Sequence, residues 1–181
     1  MLQIVIIALL VAGSIIATGF LQKHLSPQQF RRAAWLIFAA YVLGNVYFTL
    51  LSRIPGSGTT LEIRPLQSYA RMFESVDIGF ENATGFAALF LKDTSPISGM
   101  VLNVLLYCPL GYFLPIVFPR LKLRHVVLAG FLCSVATEAV QYILAMGWCE
   151  TDDVIHNTLG ALAGVAIRRR QCRRMSRGSG R

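Results

Sequence analysis

The chain has 181 residues, of which 55% are hydrophobic and 14% charged, with a formal net charge of +8 and a mean hydropathy of +0.57. A soluble domain carries about a quarter charged residues, so a water-soluble globule is excluded and an integral membrane protein indicated. The positive charge does not mark a nucleic-acid partner: seven arginines follow Ile167, and a basic tail directly after an apolar segment reports membrane topology and anionic lipid headgroups.

Five apolar stretches, 2–22, 33–52, 97–118, 125–147 and 154–167, are to be measured against the ~20 residues a helix needs to cross a bilayer. The first starts at the initiator Met with no basic n-region and no small-residue cleavage site before Gln22, so it reads as a retained span. The segment from Gln22 to Arg32 is basic (Lys23, Arg31, Arg32) and without acids. The long connection from Arg53 to Pro96 holds four basic and five acidic residues. Within it, Thr60–Leu66 is expected to be extended, since Pro65 biases Arg64 away from helix. Tyr69–Val76 has helical spacing, and Phe80–Leu91 is apolar enough for an interfacial or re-entrant helix.

Pro119 to His125 is again basic (Arg120, Lys122, Arg124), whereas Trp148 to Asp153 is acidic (Glu150, Asp152, Asp153). The last apolar stretch is short, and lengthens by recruiting Asp152 and Asp153 at one end and Arg168 at the other. Basic loops stay in the cytoplasm. The expected fold is therefore an all-α membrane protein of about five transmembrane helices, N-terminus outside and C-terminus cytoplasmic, with a long outer loop. Residues 1–167 form one transmembrane domain and 168–181 a basic cytoplasmic tail, in a multi-pass protein of the plasma membrane.

The four cysteines, Cys108, Cys133, Cys149 and Cys172, have no metal-ligand spacing, and on this topology only Cys149 faces outside, so an outer intrachain disulfide has no second partner. No metal and no cofactor are expected. Cys108 and Cys133 read as small apolar core residues.

Ionisable groups at membrane depth are costly and face a protein interior or a wet cavity, so the polar residues within the spans are the candidate site. Glu138 lies about nine residues, ~13 Å, below the outer end of the fourth stretch. Ser134, Glu138, Gln141 and Ala145 share one helical stripe, and Asp153, Asn157, Gly160 and Gly164 repeat that spacing on the fifth stretch. The two stripes are expected to face each other, the glycines allowing close approach. Asn103 and Tyr107 close the cluster from the third stretch, where Pro109 and Gly111 permit a bend. Glu138 either ties the spans together through Gln141 and Asn103 or binds something entering from the outer leaflet. Asp152 reads as an N-terminal helix cap, Asp153 faces the cavity, and His156 beside it is placed to exchange protons with a carboxylate. The expected binding residues are Asn103, Tyr107, Glu138, Gln141, Asp153, His156 and Asn157, and the expected partner is a membrane lipid or other amphiphile at the outer leaflet.

At these residues the chain resembles the VanZ-like family of bacterial membrane proteins. The resemblance is carried by Asn103…Tyr107-Cys108-Pro109-Leu110-Gly111-Tyr112, by Glu138-Ala139-Val140-Gln141 and by Asp152 to Gly160, with weaker echoes in Thr49–Arg53 and Arg64-Pro65-Leu66. The family commonly has Gly-Arg in the outer bend before the Asp pair. Here that bend reads Met146-Gly147-Trp148-Cys149-Glu150-Thr151, without Arg, so this chain has either lost that charge or supplies it from Arg53 or Arg64. The resemblance implies a cell-envelope role or reduced susceptibility to lipoglycopeptide antibiotics such as teicoplanin. Two alternatives stand beside it: an intramembrane enzyme acting on a lipid-linked envelope precursor, with Glu138 and Asp153 as acid and base, or a structural partner in an envelope complex.

Overall fold

The computed structural model describes residues 2–67, 69–70 and 96–178. The helix expected at Phe80–Leu91, and most of Tyr69–Val76, lie outside these. The described part is mostly helical: α1 (Leu2–His24), α2 (Pro27–Val46), α3 (Pro96–Val117), α4 (Leu123–Ile143) and α5 (Thr151–Gly178). Four of these, α1 to α4, are long and apolar enough to cross a membrane. The fifth is longer, at 28 residues, but is charged at both ends.

Local chemistry explains the boundaries. Ser26 and Gln29 form a reciprocal capping box, with Pro27 opening the helix, so α2 starts ahead of its apolar stretch. It then widens into one π-turn, Tyr47–Leu51, which shifts the backbone ladder and presents the Thr49 carbonyl to a side chain of α4. At the other end of the sequence, α5 recruits Asp152 and Asp153 as expected, but it also continues as helix through the arginines after Ile167 to Gly178.

The all-α expectation needs one correction. The bend after the fourth stretch is a strand, β2 (Met146–Glu150), paired in parallel with β1 (Gly58–Glu62), in the register Gly58↔Met146 to Glu62↔Glu150. The α4 helix therefore ends at Ile143, not near 147. Ala145 (φ 50°) and Gly147 (φ 104°) turn the chain out of the helix. Gly56 N–H donates to the Leu144 carbonyl (3.0 Å), covering an acceptor that the helix end would leave open.

The core lies around α3. Its apolar window is 56% buried, against 11% for α1 and for α2, so α3 is the central helix and the other two offer most of their surface to lipid. Tyr107, Tyr112, Phe113 and Val117 of α3 pack with Val126 and Val165 as the buried cluster. The closest packing is between α3 and α5, which corrects the expectation that the fourth and fifth spans set the contact. A β-carbon on Gly111 would overlap the Ala161 carbonyl; one on Gly160 would overlap the Val104 carbonyl, and one on Gly164 the Cys108 carbonyl. Backbone thus meets backbone at three places on one interface, as small-residue faces permit in membranes. The α4 helix joins through Gly130, where a β-carbon would lie 2.6 Å from Ala161 Cβ.

Pro109 and Pro115 lie inside α3. In the turn before Pro109, Tyr41 donates to the Leu106 carbonyl (2.8 Å) and Asn45 reaches the same oxygen (3.4 Å), so α2 is fastened next to Leu105, whose carbonyl loses its helical donor to Pro109. Beside this contact an apolar groove of about 290 Å³ runs between α1, α2 and α3. At the far end of the bundle Arg168, buried, donates to Gln22 Oε1 (2.7 Å) and to Gln171 Oε1 (3.2 Å).

Candidate functional site

The expected site residues gather at the end of the bundle that carries the sheet. Asn103 of α3 donates to Asp153 of α5 (Nδ2 to Oδ1, 2.6 Å). One turn further along α3, the Tyr107 hydroxyl is 3.2 Å from Thr137 Oγ1. Asn157 donates to Ser134 Oγ (2.8 Å), which joins the two stripes read from the sequence. Glu138 accepts from the backbone N–H of Glu150 (3.1 Å), and Gln141 donates to the Thr49 carbonyl (2.9 Å). The expected contacts of Glu138 with Gln141 and Asn103 are therefore replaced: each of these groups ties a different segment. Because α4 ends at Ile143, Glu138 is five residues, about 8 Å, from the helix end, shallower than the sequence suggested.

Burial makes these choices consequential. Glu138 is 6% exposed, Gln141 2%, and Asn157 3%. Unsatisfied polar atoms at such depth cost on the order of 1–3 kcal/mol each, yet among the described residues three are without a partner: Gln141 Oε1, Asn157 Oδ1 and His156 Nδ1. The Gln141 orientation is fixed by chemistry, since the Thr49 carbonyl only accepts and must face the amide N–H.

Charge in the cluster is mostly negative. Glu138 and Asp153 are near enough to repel, and Arg53 attracts both. Arg53 also donates from Nη1 to the Met146 carbonyl (3.3 Å), which holds it at the start of β2. Of the two arginines offered as substitutes for the family's Gly-Arg, Arg53 is the one beside the carboxylates, whereas Arg64 is exposed. Asp153 stands among the like charges of Glu150 and Asp152, against the pull of Arg53. The Cys149 thiol in β2 is pushed up to about 11 by burial, followed by the nearby Glu138.

A second set of contacts straps the connection after β1 onto the start of α5. Thr151 Oγ1 donates to the Glu62 and Ile63 carbonyls (3.2 and 3.0 Å). The Asp152 carboxylate accepts from the N–H of Leu66, a residue held at φ 63°. Asp152 therefore holds the neighbouring chain, a role beyond the helix cap expected of it. His156, one turn on, meets the Tyr69 hydroxyl at Nε2 (2.7 Å), which differs from the expected exchange with a carboxylate.

The VanZ/LLP1 family profile matches residues 33–170, the span from α2 into α5 that contains every contact of the cluster. The chain belongs to the VanZ/LLP1 family. No curated protein and no solved structure matches it. Family and apolar helices together make this a membrane protein. Within this VanZ-like chain, Tyr69 and Thr137 are site neighbours that the sequence reading did not place there, and Thr49 was marked only by the Thr49–Arg53 echo. Thr49 acts through its backbone carbonyl, which no side-chain pattern reveals, and Tyr69 reaches His156 from 87 residues away.

Proposed function

We propose that this VanZ-like protein lies in the plasma membrane with its N-terminus outside and its C-terminus cytoplasmic, α5 serving as a fifth span. On this orientation the sheet end faces outward and the helical arginines of α5 meet anionic lipid headgroups on the inner side. The polar cluster then opens toward the outer leaflet, where it binds or excludes an amphiphile and lowers sensitivity to lipoglycopeptides of the teicoplanin kind. The observation that carries this reading is the burial of Glu138, Gln141 and Asn157 together at one end of the bundle, with Asp153 half-buried beside them and amide oxygens left unpartnered. A site built only to fasten helices has no use for open acceptors, which cost stability.

The test compares teicoplanin and vancomycin susceptibility in one bacterial host expressing wild type, Glu138→Gln or an empty vector, with membrane levels matched. Protection against teicoplanin alone, lost in the variant, is the expected result. Equal susceptibility of wild type and vector would remove the antibiotic reading.

A further inference from the structure

The unpartnered atoms say more about the ligand than the family does. Gln141 Oε1 and Asn157 Oδ1 are both hydrogen-bond acceptors, and their residues are 2% and 3% exposed. They flank Glu138: Gln141 is three residues beyond it on α4, and Asn157 is bonded to Ser134, one turn before it. Asp153, one turn before Asn157 on α5, adds a second carboxylate that interacts with Glu138. Donors in place reach only the carboxylates, Asn103 to Asp153 and the Glu150 N–H to Glu138, while Arg53 donates to the Met146 carbonyl and the Gln141 amide to Thr49. The surplus is of acceptors and of negative charge.

A ligand that completes such a site brings N–H donors and positive charge. An anionic head would add acceptors to acceptors, and a purely apolar one would leave two buried amide oxygens open. Among the described residues no three His, Cys, Asp or Glu side chains converge as a ligating group, and a metal ion held by these oxygens would bring charge without N–H donors and so no preference between zwitterionic heads. A primary ammonium supplies three N–H donors and one positive charge. We infer that the cluster between α4 and α5 takes the primary ammonium head of an amine-bearing amphiphile, received by Gln141 Oε1, Asn157 Oδ1 and the carboxylates of Glu138 and Asp153. This inference rests on the reading of the cluster as an amphiphile site and names the chemistry of the head.

The discriminating probe keeps charge and tail constant and changes only the donors. The full chain, purified and delipidated, is offered equal amounts of phosphatidylethanolamine, phosphatidylcholine and phosphatidylglycerol with identical acyl chains, and retained lipid is quantified by mass spectrometry. Phosphatidylcholine carries the same charge as phosphatidylethanolamine but no N–H. The expected result is at least fivefold retention of phosphatidylethanolamine over phosphatidylcholine, falling toward parity in Glu138→Gln. Soluble ethanolamine at the same concentration is expected to displace none of it; full displacement would overturn the amphiphile part by making a free amine the ligand. Equal retention of the two zwitterionic lipids, or preference for phosphatidylglycerol, overturns the ammonium assignment. If that retention still depends on Glu138, the amphiphile site survives while its ligand class changes; retention of no lipid at all sinks both. The comparison of lipids on wild type needs no variant to fold.

Discussion

Substituting Gly164 by alanine adds one carbon at one of the tightest backbone contacts among the described residues. The new β-carbon overlaps the Cys108 carbonyl and lies 2.7 Å from the Tyr112 backbone nitrogen. Neither atom is the end of a flexible side chain, so α3 and α5 must move apart by about 1 Å, which forfeits about half of each contact's dispersion energy. A buried side chain makes about 40–60 contacts at ~0.1 kcal/mol each. Loosening two such side chains by half therefore costs about 4–6 kcal/mol, above the usual range for overpacked cores. The same displacement pulls Asn103 away from Asp153 and opens the site. Gly44→Ala is the control: nothing lies within 4 Å of its β-carbon position, and alanine's helix propensity favours the variant by up to ~1 kcal/mol. Thermal unfolding in the same detergent measures both, with Gly164→Ala expected well below wild type and Gly44→Ala at or above it. A Gly164→Ala protein as stable as wild type would refute backbone contact between α3 and α5.

Two further outcomes follow from single positions. Ala145 sits at φ 50° after α4, a conformation that glycine adopts without steric cost, so Ala145→Gly is expected to stabilise by up to ~1 kcal/mol in equilibrium unfolding, and a loss of stability would contradict it. With its thiol pushed up to about 11, Cys149 in a background lacking the other cysteines should react with maleimide at pH 8 about a hundredfold more slowly than an ordinary thiol. Glu138→Gln should speed it, and an ordinary wild-type rate would count against the acidic surroundings of β2.

The sequence made the spans legible because the bilayer sets a length, and apolar runs near 20 residues stand out against it. It also placed Asp153 with Asn157, and Ser134 with Glu138 and Gln141, on common faces, since helical periodicity decides which residues share a stripe. What a stripe faces is a different matter. Gly160 and Gly164 meet Val104 and Cys108 on α3 rather than α4, because close approach is decided by the partner's backbone, which periodicity does not encode. The β1–β2 pairing was illegible for a related reason: five residues with Gly147 among them look like a bend until Gly58–Glu62, 88 residues earlier, is laid beside them. Arg53 was named from the sequence as one of two candidates for the missing charge, but its position beside the carboxylates depends on the pairing of β1 with β2, which the sequence did not show.

The central claim is that the buried polar cluster holds a ligand and does not merely fasten helices. Glu138→Gln tests it most directly, because glutamine keeps the size and a hydrogen-bond acceptor for the Glu150 N–H while removing the charge. Lipid co-purified per mole of protein is to be measured for wild type and Glu138→Gln at matched unfolding temperature. The account predicts an equally stable variant that has lost a defined lipid species. The same lipid in the same amount on both proteins would contradict it and leave Glu138 as a helix fastener.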